Sequence, residues 1–236
     1  MTLLRRLLGG RRKGSDPASV RRRPGALAQS PEERLERLYR RPSREQKKPI
    51  EWARELVGPG EVVWEIGAGD GVFAFAAAVL AGPAGEVLAV EEREKLAAAL
   101  RRNAEQLGAP DARFEVLLSA VGAEVGDEAP GRKAPGMVTL DALLRRHRSP
   151  TVLRIAERMA RPDLFAGAAH ILRDVRPVVL IGVPQRLAPS LGPKLHGLGY
   201  ELFDAEVNPS DRIKLDHAPR ATLAVPSSQR AEDPER

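Results

Sequence analysis

Cysteine is absent from all 236 residues. That excludes a disulfide framework, a thiolate zinc site and a cysteine nucleophile together, and it fits a reducing, cytoplasmic setting, which is where the protein is expected to work. Histidine is scarce: His147, His170, His196 and His217 are scattered without ligand spacing, so no metal site is expected. Aromatic residues make up 4% of the chain, which leaves few stacking platforms for unpaired bases. Long apolar runs are missing too, because the longest, Val72 to Ala81, is too short to cross a bilayer. The opening MTLLRRLLGGRRKG has two leucine pairs, but Arg5 and Arg6 interrupt it and no small-residue cleavage site follows, so it reads poorly as a secretion signal.

What is present is positive charge in one place. Residues 1–50 hold 15 Lys and Arg against 5 Asp and Glu, leaving 23 against 27 for the rest. The basicity therefore belongs to a leader containing RRK, RRR and KK. Its Gly, Pro and Ser content suits a solvated, flexible tail; contact with an acidic partner or nucleic acid is the alternative.

The expected organisation is a leader over residues 1–29, N-terminal helices over 30–60, an α/β domain over 61–226 and a polar tail over 227–236. Order is expected to start at SPEERLERLYRR, where Ser30 caps a helix, Pro31 takes its first position and Glu33 closes a capping box. PIEWARELV predicts a second short helix, with Ile50, Ala53 and Leu56 on one face. From EVVWEI onward strands and helices alternate: FAFAAAVLA is a helix apolar all round, EVLAV a buried strand, and EREKLAAALRRNAEQLG a helix striped by Leu96, Leu100 and Leu107 that stops at Gly108. ARFEVLL supplies the third strand. This βαβαβ order predicts a mostly parallel, doubly wound sheet with helices on both faces. Farther on, MVTLDALL reads as an edge strand entering a helix, TVLRIA and PVVLIGV as buried strands, and PDLFAGAAHILRDV and LAPSLGPKLHGLG as helices. YELFDA and ATLAVPS pair as the last two strands.

The first βα turn is EIGAGDG. In a doubly wound sheet, ligands lie beyond the carboxyl ends of the strands, where bare backbone can approach them. Gly67 and Gly69 remove the side chains that would hold a nucleoside away, Ala68, Asp70 and Gly71 shape the turn, and Glu65, closing the strand, can accept from a cationic amine. Counted from Gly67, a dinucleotide fingerprint would need its third glycine at Val72, but here it is Gly71. Glu91 ends the second strand about 20 residues on, where a carboxylate can take both hydroxyls of a ribose; Glu92 is the weaker candidate. The competing reading is a tight turn between solvated strand ends. The E-x-G-x-G-x-G spacing resembles the first motif of S-adenosylmethionine-dependent methyltransferases of the Rossmann-like class.

The run VVWEIGAGDGVFAFAAAVLAGPAGEVLAVEE is similar to the opening of the FkbM family of methyltransferases, and the likeness continues through Asn103, SAVG at Ser119, VTLDALL and AHILRDVRPVVLIGV to GYELF and LAVP. The resemblance spans about Ile50 to Pro226. It implies a class I methyltransferase fold, S-adenosyl-L-methionine as cofactor and methyl transfer to oxygen of a small molecule or glycan. The family's K-I-D-V-E-G-A-E stretch is here RIAERMAR, with Ala156 for Asp, Arg158 for Glu and Met159 for Gly, and Gly182 replaces a usual glutamate. Three outcomes follow from the loss of these acids. Another group such as Glu157 or Asp163 takes over as base, or an acidic substrate uses Arg154 and Arg158, or the protein binds its cofactor without turnover. A nucleic-acid methyltransferase gripping through the leader is a further alternative, but TVLRIAERMA holds nothing like the N-P-P-Y loop of base-amine enzymes.

Overall fold

The computed structural model describes residues 29–105, 111–124 and 136–227. The expectations for the leader before Gln29, for Leu107 and Gly108, and for the tail beyond Ser227 lie outside the described residues.

Ser30 starts the first helix, α1 (Pro31–Leu38), through the expected box: its hydroxyl accepts from the Glu33 amide at 3.2 Å while the Glu33 carboxylate accepts from the Ser30 amide at 2.7 Å. The second helix, α2 (Arg44–Leu56), begins five residues ahead of Pro49, where PIEWARELV places its start. A second box, Ser43 with Gln46, nucleates it, and Pro49 is carried in its interior. Proline usually ends or starts a helix, but two orphan donors satisfied by the box and a buried face of Ile50, Ala53 and Leu56 outweigh one missing amide.

The alternation then runs as expected: β1 (Val62–Ile66), α3 (Val72–Ala81), β2 (Glu86–Glu91), α4 (Glu94–Ala104) and β3 (Arg113–Leu118). A two-residue pair, β4 (Ala120–Val121) and β5 (Met137–Val138), leads into α5 (Leu140–Leu143). The rest is β6 (Val152–Ile155), α6 (Pro162–Ala166), β7 (Val178–Gly182), α7 (Ala188–Gly197), β8 (Tyr200–Asp204) and β9 (Ala221–Pro226). The stretch PDLFAGAAHILRDV is not one helix. Gly167 breaks it, packed against the Gly122 carbonyl, and a wide turn over Ile171–Val175 starts afresh where the Asp141 carboxylate accepts from the His170 and Ile171 amides, at 2.9 Å each.

The sheet order is β3-β2-β1-β6-β7-β9-β8, parallel throughout except for β9. This is the doubly wound, mostly parallel Rossmann-like sheet with helices on both faces and an antiparallel strand near the C-terminus. Alternation along each strand divides two cores. Val63, Val87 and Leu180 face α1, α2, α3 and α4; Trp64, Leu88 and Leu153 face α5, α6 and α7. The chain order reverses between β2 and β6, which flank β1, so the crevice that such sheets open lies above the end of β1. Among the described residues no helix is long and apolar enough to cross a membrane.

The helix pair is fastened across the molecule. Arg212, in the β8–β9 connection, makes a forked ion pair with Glu55 of α2, both nearly buried, and the Trp52 ring N–H donates to the Ala205 carbonyl at 3.0 Å. Arg212→Ala leaves Glu55 without its counter-charge, and we expect it to cost about 3 kcal/mol, read as a lower denaturant midpoint with an unchanged slope.

Candidate functional site

The glycine turn hangs from the end of β2. The Gly67 and Ala68 amides both donate to the Val90 carbonyl, at 2.8 and 3.1 Å, and the Gly71 amide closes the loop on the Ala68 carbonyl at 2.9 Å. Gly67, Gly69 and Gly71 all have left-handed backbone, φ 82°, 63° and 80°. Each therefore needs glycine for conformation alone. Gly71 then caps α3, and a side chain there would run into the Phe75 ring. Ala68 is buried, and Asp70 is exposed, its carboxylate 3.5 Å from the Val72 amide.

Glu91 meets this turn. One oxygen, Oε2, accepts from the Gly69 amide at 2.8 Å; the other, Oε1, accepts from the amide and the Nε of Arg93, at 3.0 Å each. The Arg158 guanidinium, from just after β6, also donates to Oε2. Glu91 is wholly buried, and burial pushes its pKa upward, but the Arg93 side chain, the Gly69 and Arg93 amides and the Arg158 charge outweigh it and hold the carboxyl below 4.5. Glu92 beside it makes none of these bonds and is partly exposed. Neither acid of the site is a solvated strand end.

Glu65 lies under the start of α3. Its register partner across the sheet is Arg154 of β6, and the two form an ion pair, with the guanidinium 5.1 Å over the Phe73 ring. Glu65 is 1% exposed, and burial raises its pKa; the Arg154 charge and the nearby Ala74 amide of α3 pull it back, while Asp70 pushes it up again. Among the described residues, Oε2 of Glu65 is a buried acceptor with no hydrogen-bond partner of normal geometry. Above it, the Tyr39 hydroxyl from the end of α1 donates to the Val72 carbonyl at 3.1 Å, and burial, followed by Asp70 and Glu65, raises its pKa strongly.

The turn after β6 is the largest departure from expectation. Residues Glu157–Met159 form one tight helical turn that sits down on the strand ends. A side chain at Gly67 would meet Met159 Cγ at 2.5 Å, Ala156 Cβ at 3.1 Å and Arg158 at 3.2 Å, so the space that bare Gly67 opens is taken by the chain itself. Only Gly69 faces room, with nothing nearer than an Arg158 nitrogen at 3.9 Å. Gly182 is likewise explained: a Cβ there would lie 2.7 Å from the Glu157 backbone nitrogen. Arg154 and Arg158, read as clamps for an acidic substrate, are already engaged with Glu65 and Glu91. The two acids named as substitutes for the lost ones remain open to solvent: Glu157 is half exposed, 3.6 Å from Arg220, and Asp163 is nearly so, 3.2 Å from Arg161. Arg93 and Tyr39 were not singled out from sequence. Arg93 follows Glu91 by two residues, which is a readable signal; Tyr39 is brought in by the packing of α1 on α3, and the sequence marks it only as part of that helix's apolar side.

Two outcomes test this geometry. Glu91, with its folded pKa below 4.5, stabilises the protein above that pH, and this contribution is lost as pH falls through the folded value. Glu91→Gln should therefore lose stability less steeply than the parent between about pH 5 and pH 3, in denaturant midpoints taken across that range. Gly182→Glu, which introduces the residue usual at this position in the FkbM pattern, should cost about 2 kcal/mol, because the atom it strikes is backbone and cannot swing aside.

Comparison with known proteins follows the same outline. Residues 46–135 match the family model described as a precorrin methyltransferase domain. The chain is similar in structure to the FkbM methyltransferase of Methylobacillus flagellatus, with 14% identity and a TM-score of 0.50, over 74% of this chain and 50% of that one. It also matches precorrin-6y C5,15-methyltransferase from Geobacter metallireducens, at 15% identity and a TM-score of 0.45 over 77% and 87% of the two chains. A third is Aeropyrum pernix fibrillarin with natively bound S-adenosyl-L-methionine, at 15% identity and a TM-score of 0.43 over 71% and 67%. No curated protein matches. The chain thus has the Rossmann-like fold of S-adenosylmethionine-dependent methyltransferases, and the stretch from α2 through β3 and beyond is similar to a methyltransferase domain.

Proposed function

We propose that the protein is an S-adenosylmethionine-dependent methyltransferase acting on oxygen of a small molecule or glycan. The observation that carries the reading is the bond from the Gly69 amide to Glu91, which joins the first glycine turn to the acid of the second strand at the switch point of the sheet. Two features fit the cofactor: the bare backbone of Gly69, with only the part-exposed Arg158 side chain above it, and the partnerless Oε2 of Glu65, which suits an ammonium group. On this reading Glu65, Gly67, Ala68, Gly69, Asp70, Gly71 and Glu91 hold the cofactor, with Glu92 at its margin. The cofactor supplies a methyl group on a sulfonium centre. The chain supplies orientation and a place for the acceptor's proton, and Glu157 or Asp163 are the acids left at the rim for that role.

A second reading is a cofactor-binding protein without turnover. It is favoured by one observation, the packing of residues 156–159 onto Gly67 and Gly182 where the family carries acids.

Calorimetry with S-adenosylhomocysteine should show binding that falls at least tenfold in Gly69→Val and in Glu91→Ala. Absence of binding to the parent protein removes the proposal. Binding with no transfer of labelled methyl to any acceptor in a lysate selects the second reading.

A further inference from the structure

We propose that Arg158 sets the affinity of the crevice by occupying the oxygen of Glu91 that a ribose would need. The inference rests on the reading of the site as a nucleoside pocket. A carboxylate has about four lone-pair positions, and in Glu91 all four are filled. Oε1 takes the amide and the Nε of Arg93, and Oε2 takes the Gly69 amide and the Arg158 guanidinium. A sugar hydroxyl cannot donate to Glu91 until one of these donors leaves.

The four are not equally free to go. The Gly69 bond holds the glycine turn in shape, and both Arg93 bonds come from two residues along the chain. Arg158 alone reaches in from across the switch point, 67 residues away. Glu91 has no exposure, whereas the Arg158 side chain keeps 35%, so the arginine covers the solvent side of the acid. Its nitrogens also lie over the bare strip of the turn, 3.2 Å from where a Cβ on Gly67 would be and 3.9 Å from one on Gly69. The guanidinium therefore stands where the sugar would lie.

Nothing in the turn obliges it to stay. The backbone of 157–159 is anchored by buried Met159 beside Gly67 and by Glu157 against Gly182, so the Arg158 side chain can swing to solvent while the turn remains in place. Ligand entry is then an exchange at Oε2, with a charged donor leaving and a neutral hydroxyl arriving. The ligand must replace a charge-assisted hydrogen bond before it gains its own, which weakens apparent binding.

The test is calorimetric titration of S-adenosylhomocysteine into the full chain, as the parent, as Arg158→Ala and as Arg158→Gln. The glutamine variant keeps a side chain over Met159 should the alanine variant not fold, and circular dichroism checks both. We expect either folded variant to bind about tenfold more tightly than the parent, the worth of one part-exposed charge-assisted bond. Affinity unchanged or weakened in the folded variants overturns the proposal and leaves the nucleoside reading standing. No binding to the parent sinks that reading, and this inference with it.

Discussion

A carboxylate cannot be left charged and bare inside a protein, and two of them sit at the carboxyl ends of β1 and β2. The arrangement above the sheet follows from that constraint. Glu65 and Glu91 are both buried, and β6, the strand across the switch point, answers each with an arginine: Arg154 lies in register with Glu65, and Arg158, one turn further, reaches Glu91. The two pairs differ in kind. Glu65 with Arg154 lies under α3 against the Phe73 ring, with one carboxylate oxygen still unmatched, and its charge is strained by burial. Glu91 is wrapped by four donors and holds its charge easily.

The second arginine has consequences for the strand ends. To carry Arg158 over the glycine turn, the segment after β6 must lie low across β1 and β7. It does so because two positions beneath it lack side chains, Gly67 under Met159 and Gly182 under Glu157. Ala156, Arg158, Met159 and Gly182, four separate departures from the FkbM pattern by sequence, thus form one packed unit. A glutamate at 182 would collide with the backbone that the tight turn over 157–159 requires.

The sheet, its helices and the antiparallel C-terminal strand were legible because the physics there is periodic. The short, turn-bounded run EVLAVE, buried at every position, and the longer apolar run VFAFAAAVLA have no other comfortable home. The glycine turn and Glu91 were legible for a different reason, since a fixed spacing in a strand–turn–helix context leaves few geometries. Errors fell where a long-range contact decides a local matter. Gly167 and the Asp141 carboxylate split a helix that the periodicity of PDLFAGAAHILRDV joins. The partners of Arg154 and Arg158 were hidden likewise. A basic residue near a site reads as a clamp for an acidic substrate until the acid already facing it is seen. The start of α2 differs for a local reason, the capping box at Ser43 ahead of Pro49.

The helices before β1 belong to the same chemistry. They share one core with α3, and Tyr39 closes over the helix start by donating to the Val72 carbonyl, so the roof of the glycine turn is built from residues the sequence sets apart as a separate segment. Burial, followed by the charges of Asp70 and Glu65, raises the pKa of the Tyr39 hydroxyl, which is committed to the Val72 carbonyl. Because the fork of Arg212 on Glu55 and the Trp52 bond to Ala205 hold α2 against the far end of the sheet, this cover cannot lift without breaking contacts well away from it. Access to the crevice is therefore controlled from the β6 side, where the turn carries a side chain that can move, and the α1 side serves as its fixed wall.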